Sequence, residues 1–143
     1  MKFAQLTMIV GLATAMALPI PDVRAASADN KSAPARVEPI AGTAIKRVTL
    51  TQKAAQRLDV RTGPIGRDDS GKKIVPFAAV FYDLTGEAWV YTVPEPLTYV
   101  RQKLVVETIN GERAFVREGP AEGTQVVIAG VAEIYGTERG VGH

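Results

Sequence analysis

The sequence predicts a mainly β fold, a small sandwich or barrel-like β-domain with one short helix, preceded by a signal peptide and a flexible leader. Apolar and β-branched residues recur in runs of strand length, turn formers separate these runs, and a single stretch has clear helical spacing. Apolar residues make up 46% of the 143 residues and charged residues 22%, as in ordinary globular domains. The length accommodates one domain.

Residues 1–25 have the pattern of a secretory signal peptide. Lys2 supplies a positive charge, the stretch from Phe3 to Ile20 carries none, and a small residue, Ala25, stands at the expected cleavage site. The alternative is an uncleaved membrane anchor. A spanning helix needs about 20 apolar residues, and Pro19 falls near the end of this run. We therefore expect export with cleavage after Ala25.

Residues 26–43 are rich in Ala, Ser, Pro and single charges, which predicts a flexible leader before a β-domain over 44–137. The domain begins with an alternating strand from Ile45 to Leu50. Thr51 can then cap a short helix that ends near Leu58, because its hydroxyl can accept hydrogen bonds from the free amides of the first turn.

The longest strand-forming stretch runs from Val75 to Arg101. Within it, strand-type residues at 77–82 and 87–92 flank the turn formers of 83–86, which predicts a hairpin. Pro94 and Pro96 then require a turn or bulge, because proline has no amide hydrogen to donate to a ladder.

The C-terminal part predicts three more strands, at 97–109, 112–117 and 124–128. Asn110-Gly111 is the clearest turn, since both residues tolerate the positive φ of a two-residue hairpin loop. The continuous apolar run in 124–128 predicts a last buried strand, 130–135 a short helix or turn, and 138–143 a loose tail. The predicted core consists of Leu50, Leu58, Val75, Ala79, Phe81, Val90, Tyr91, Leu97, Val105, Phe115, Val127 and Ile128.

Composition excludes several kinds of chemistry. There is no cysteine, the only histidine is the terminal His143, and the three methionines lie in the signal segment, which leaves almost no soft-metal ligands. Asp68-Asp69 lacks the spaced oxygen ligands of a calcium loop, and no Gly-rich turn stands between a strand and a helix to hold a phosphate. A net charge of +2 indicates no nucleic-acid face. The sequence therefore predicts no catalytic residue, metal or cofactor, and hence no enzyme.

Two surface features have both a functional and an ordinary interpretation. Arg101, Lys103, Arg113 and Arg117 could form a basic stripe that docks an acidic partner or lies near lipid headgroups, but the interspersed glutamates favour a solvated face. Trp89, Tyr91 and Tyr99 could form an exposed ligand platform, although packing inside the sheet is the commoner arrangement for such residues.

Four segments together resemble one known protein family. The chain has Val-Pro-x-x-Ala-Val at 75–80, Trp-Val-Tyr at 89–91, Tyr-Val-Arg at 99–101, and glycines at 119, 123 and 130 around Val126-Val127. In this order and spacing the chain resembles the periplasmic adaptor subunits of RND-type efflux pumps, the HlyD-like membrane fusion proteins. The likeness covers most of residues 45–138 and concerns the membrane-proximal domain only, with 48–65 similar to the first segment of that domain.

The resemblance implies a periplasmic module that docks on an RND-type inner-membrane transporter or on full-length adaptor subunits. Contact is expected around Tyr99, Arg101, Lys103 and the 119–123 loop, including Gly119, Pro120 and Glu122. A full adaptor has lipoyl-like, helical-hairpin and barrel domains between the two segments, whereas here the loop 66–73 joins them directly. The alternative function is a free-standing periplasmic carrier or sensor of a small ligand, which requires a concave apolar pocket.

Overall fold

The computed structural model describes residues 33–141 and contains ten strands, two helices and one turn of 3-10 helix. The strands are β1 Ala35–Pro39, β2 Lys46–Leu50, β3 Arg61–Pro64, β4 Gly66–Arg67, β5 Lys73–Pro76, β6 Phe81–Tyr82, β7 Ala88–Glu95, β8 Thr98–Asn110, β9 Arg113–Glu118 and β10 Gln125–Ala129. The helices are α1 Gln52–Arg57 and α2 Val131–Arg139, and the 3-10 turn is Phe77–Ala79.

The strands form one nearly closed, barrel-like sheet, which confirms the predicted fold class. Its order is β3-β10-β7-β8-β9-β5-β4, with β2 and β1 added beside β8 and β6 beside β7. The long strand β8 connects the two halves of the sheet, because its first part pairs with β7 and β2 and its second part pairs with β9.

Apolar side chains fill both faces of the central strands. One cluster, which includes Leu50, Tyr91 and Val127, lies between the sheet and the two helices. The other, which includes Val90 and Val126, fills the inside of the barrel. Successive residues of a strand point to opposite faces, so a continuous apolar run is what a strand covered on both sides needs.

Both helices begin as their sequences require. Thr51 caps α1, and its hydroxyl accepts a hydrogen bond from the Ala54 amide at 3.2 Å, which confirms the predicted cap. Gly130 precedes α2 with a φ of 83°. A Cβ at Gly130 would lie 3.0 Å from a Val60 methyl and 3.2 Å from the Leu58 carbonyl oxygen. Glycine satisfies both the backbone angle and the close approach.

The prolines at the end of β7 act as predicted. The β7–β8 register shifts between Thr92 and Glu95, and Glu95 then pairs with Thr98 across a loop of Pro96 and Leu97. Leu97 has a φ of 60°, unusual for a large side chain. Its carbonyl oxygen accepts a hydrogen bond from the Leu50 amide, and its side chain packs on the helix-side cluster, which holds this conformation.

Two predicted hairpins are present with changed bounds. Instead of a strand over 77–82, the chain makes the 3-10 turn and leaves only the two residues of β6 to pair with β7. The second hairpin turns one residue later than predicted, because Asn110 pairs with Arg113 and the loop is Gly111-Glu112.

The predicted leader and tail are both too long. Residues 35–39, assigned to the leader, form β1 and pair with β2 in register from Ala35 opposite Leu50. Glu138, assigned to the loose tail, lies in α2 and is 3% exposed. The folded domain therefore extends beyond 44–137 at both ends. The predicted signal peptide lies outside the described residues, as do residues 26–32 of the leader and 142–143 of the tail.

Half of the predicted core is fully buried. These residues are Leu50, Val75, Ala79, Val90, Tyr91 and Val127, whereas the partly buried ones are Leu58, Phe81, Leu97, Val105, Phe115 and Ile128. On β9 the prediction chose the wrong face, since Ala114 and Val116 are the buried residues. Neither helix within residues 33–141 is long and apolar enough to cross a bilayer.

Candidate functional site

The six residues predicted to contact a partner do not form one surface. Tyr99 is 3% exposed and Pro120 is also buried, so neither side chain is available to a docking partner. The Arg101 side chain is only 14% exposed. Lys103 and Glu122 are the two predicted residues with freely accessible side chains.

Lys103 and Glu122 lie in separate ion pairs. The Lys103 ammonium bonds the Glu87 carboxylate, beside the start of β7. The Glu122 carboxylate accepts a hydrogen bond from the Arg67 Nε at 2.5 Å. Lys103 points to the opposite face of β8 from its neighbour Leu104, and it is Leu104 that Gly119 approaches. The exposed part of the predicted site thus consists of two patches, Lys103–Glu87 and Arg67–Glu122.

Arg101 belongs to an internal network centred on Glu138. One carboxylate oxygen of Glu138 accepts hydrogen bonds from the Lys46 amide at 3.2 Å and the Arg101 Nε at 3.0 Å. The other accepts the Tyr91 hydroxyl hydrogen at 2.5 Å. A buried carboxylate is tolerated when it is paired and hydrogen-bonded in this way. The network fastens α2 to β2, β7 and β8.

Arg101 and Tyr91 are therefore structural groups. The Arg101 guanidinium carbon lies 4.4 Å from the ring centroid of Trp89, a cation–π distance. Burial raises the pKa of Tyr91 far above its usual range, and the hydrogen bond to Glu138 raises it further. The Tyr91 hydroxyl thus stays protonated as a donor, and Arg101 is not a free member of the basic stripe.

Glu138 is the residue that sequence reasoning missed. It follows Val131 and Ile134 at spacings that place all three on one face of a helix, and Ile134 is fully buried. The sequence does contain a sign of this buried residue, a carboxylate at the next core position of an apolar helix stripe. A prediction that ends the helix at residue 135 hides this position.

Two polar loops share one hydrogen-bond arrangement around an aspartate. In 68–72 and 83–87, an aspartate oxygen accepts hydrogen bonds from the hydroxyl and the amide of the residue two positions later and from the amide four positions later. These bonds lower the pKa of Asp68 and lower that of Asp83 to about 2, the hydroxyl bonds contributing most. Within residues 33–141, no three metal-binding side chains converge.

Two grooves open at the surface. The helical groove, of about 680 Å³, lies between β1, α1 and α2, with an apolar floor that includes Leu50, Ala54 and Leu58 and charged walls at Arg57 and Glu133. The β8 groove, of about 470 Å³, lies between Tyr82, the 86–87 loop and β8 from Lys103 to Ile109. These grooves and the two ion-pair patches are candidate binding surfaces of the described residues.

Comparisons with protein-family models, with curated proteins and with solved structures found no match to this chain.

Proposed function

We propose that the chain is a non-catalytic, exported interaction module that resembles the membrane-proximal domain of an RND efflux-pump adaptor and docks on transporter or adaptor components in the periplasm. It acts through surface complementarity. The resemblance lies in the sequence segments described above, and the structure bears on one requirement that the resemblance imposes.

The resemblance requires that two segments of the chain build one domain. The pairing of their strands is the observation that supports the proposal. In the adaptor family, the segment resembling 48–65 and the segment resembling 75–138 belong to the same membrane-proximal unit. Here β2 pairs with β8, and β8 pairs with β7, which contains Trp89. From the other side, β3 pairs with β10 and β10 pairs with β7. The first segment thus supplies β2 and β3, which pair with β8 and β10 of the second segment on the two sides of β7.

The exposed residues of the predicted site and their ion-pair partners would make the docking contacts. Lys103–Glu87 and Arg67–Glu122 are ion pairs on the surface, with side chains about half exposed. Surface ion pairs of this kind contribute little to stability, about 0–1 kcal/mol. Their charges can therefore be re-paired by a partner at small cost, and charge complementarity would then set specificity.

Affinity purification of the tagged chain from membrane extract, followed by mass spectrometry, tests this proposal. We expect an RND-type transporter or adaptor subunit to co-purify with the wild-type chain. Recovery should fall at least about tenfold for the double variant Lys103→Glu, Glu122→Lys, because each reversed charge repels the partner group it used to meet.

Lys53→Glu is the matched control, since Lys53 is exposed on α1 and lies in neither patch. It should retain wild-type recovery. A purification without any transporter or adaptor component would contradict the proposed function, and equal loss in the control would contradict the assignment to these two patches.

The helical groove favours a second candidate function, a periplasmic carrier or sensor of a small ligand. Its volume lies within the range of about 300–1,000 Å³ that is common for small-molecule sites, and an apolar floor with two opposite charges can orient an amphipathic molecule. A thermal-shift screen of amphipathic small molecules tests it. A hit should stabilise the wild-type chain but not Ala132→Trp, because Ala132 is exposed and lines the groove, so that the larger side chain occupies it.

A further inference from the structure

We propose that the second half of β8, from Val105 to Asn110, is an open sheet edge that binds one extended, uncharged peptide segment of a partner as an added strand. This site adjoins the Lys103–Glu87 patch, but it does not depend on the proposed docking function. It is a second interaction surface, formed by main-chain groups.

The edge is open because β8 extends beyond its last residue that pairs with β7. The last β7–β8 pair is Ala88 opposite Leu104, whereas β8 continues to Asn110. On its other side, this second half of β8 pairs with β9 up to Asn110 opposite Arg113. Within residues 33–141, no strand pairs with the β7 side of β8 beyond Leu104.

The hairpin register identifies Ile109 as a residue whose main-chain groups face this open side. Antiparallel pairs alternate between hydrogen-bonded and non-hydrogen-bonded, and Asn110 with Arg113 closes the two-residue loop as a bonded pair. The next pair, Ile109 with Ala114, therefore points its N–H and C=O groups outward. Those of Ala114 face Val75 in β5, and those of Ile109 face the β8 groove.

Within residues 33–141, the other free edges are short or carry proline, whereas the β8 edge has only the register shifts between Val105 and Thr108. β1 ends in Pro39, β3 contains Gly63-Pro64, and β4 and β6 have two residues each. Prolines and very short edge strands are the means by which proteins prevent edge pairing. Residues 105–110 read VVETIN, strand-forming residues with no proline, no glycine and one charge.

The surroundings of the edge favour an uncharged, partly apolar occupant. Tyr82 and Ile109, which are 51% and 42% exposed, both line the groove. Its nearby charges cancel in two ion pairs, Lys103–Glu87 and Lys72–Glu107. No net charge is left to select a charged segment, and the exposed apolar side chains can pack against alternate residues of an added strand.

The size of the edge favours a peptide over a second copy of this chain. Six extended residues span about 20 Å, and one added strand occupies a width of about 4.8 Å, which gives a contact on the order of 100 Å² before side chains are counted. Stable interfaces between folded proteins bury about 800 Å² on each partner. Strand addition needs only the edge and pockets for alternate side chains.

Amide hydrogen exchange of the ¹⁵N-labelled chain tests the proposal. The probe is the capped peptide acetyl-Val-Thr-Val-Thr-Val-Thr-amide at about 1 mM, and the control peptide carries proline at every second position, so that it cannot form a continuous ladder. We expect the Ile109 amide to exchange rapidly in the free chain and at least about tenfold more slowly with the first peptide only.

Variants at Ile109 separate edge pairing from other binding. Ile109→Val should keep the protection of the edge, and Ile109→Lys should lose it, because a charged side chain on an edge opposes strand addition. Ile109→Pro, which removes the outward N–H, should also lose it, and the dispersion of its amide spectrum reports whether it folds. Three results would overturn the proposal: no protection by the peptide, protection confined to the helical groove, or protection that appears without peptide as the chain is concentrated, which identifies a second copy as the occupant.

Discussion

Single side chains in this protein hold loops and helices in place. Asp83 shows how. One of its oxygens organises the 83–87 loop, and the other accepts the indole hydrogen of Trp89 at 3.0 Å. Hydrogen bonds to a carboxylate favour its charged form. The same residue therefore links the loop to the central strand and makes this link sensitive to acid.

Acid should weaken the fold through Asp83. Its pKa is about 2 in the folded chain against 3.8 as the ordinary value, so its stabilising contribution is complete above pH 3.8 and is lost as the pH falls towards 2. Trp89 is the only tryptophan, so its fluorescence should change with an apparent pKa near 2. Asp83→Asn should lack this transition, and a transition that persists in the variant would assign it to another group.

A methyl group at Gly119 should destabilise the barrel interior. A Cβ there would lie 2.5 Å from a Leu104 methyl, and Leu104 is 3% exposed. We expect Gly119→Ala to reduce the free energy of unfolding by about 1–3 kcal/mol, the usual cost of overpacking, as measured by urea denaturation.

Gly66→Ala is the control for this substitution, because a Cβ at Gly66 meets no atom within 4 Å and its φ is not positive. Its effect should stay within about 0.5 kcal/mol. Equal stability of the two variants would show that Leu104 moves aside without cost.

At the scale of elements, local signals predicted beginnings and turns better than ends. Thr51 and the prolines after Val93 act through their own backbone and side-chain chemistry, which the sequence displays. β1 and the last turn of α2 depend on partners distant in sequence. The Lys46 amide, 92 residues from Glu138, donates a hydrogen bond to the Glu138 carboxylate. The composition of 33–43 does not indicate that β2 has a free edge with which β1 can pair.

The candidate site was predicted less well for a similar reason. The expected contacts at Tyr99 and Arg101 came from the family resemblance, although packing inside the sheet was the commoner arrangement for Tyr99. The helices α1 and α2 cover the face of β8 on which both residues lie, and only the three-dimensional structure reveals such a cover. The open edge at 105–110 could not be found either, since it depends on the length of β8 relative to β7.

Removal of the Glu138 carboxylate should loosen α2. Glu138→Ala leaves the Arg101 guanidinium and the Tyr91 hydroxyl without their shared acceptor, and breaking a buried pair on one side costs about 3–5 kcal/mol. Urea denaturation gives the value. Glu133→Ala, exposed on the same helix, should cost less than about 1 kcal/mol. Similar losses in the two variants would show that the network does not hold the helix.

In the whole molecule, the sheet closes around β7, with β8 and β2 on one side and β10 and β3 on the other. The helices cover its outer face, the barrel interior covers the other, and the exposed residues are left to bind. We attribute the function of the chain to this surface. We therefore expect a partner to contact the chain at defined positions.

Site-specific cross-linking in the producing cell tests that claim most directly. The chain has no cysteine, so Lys103→Cys and Glu122→Cys each give one reactive position, and Lys53→Cys gives the control on α1. With a thiol-directed photo-cross-linker, positions 103 and 122 should each form an adduct that contains an RND-type transporter or adaptor subunit, and position 53 should not. Adducts that lack such a subunit, or that form equally at position 53, would contradict the account.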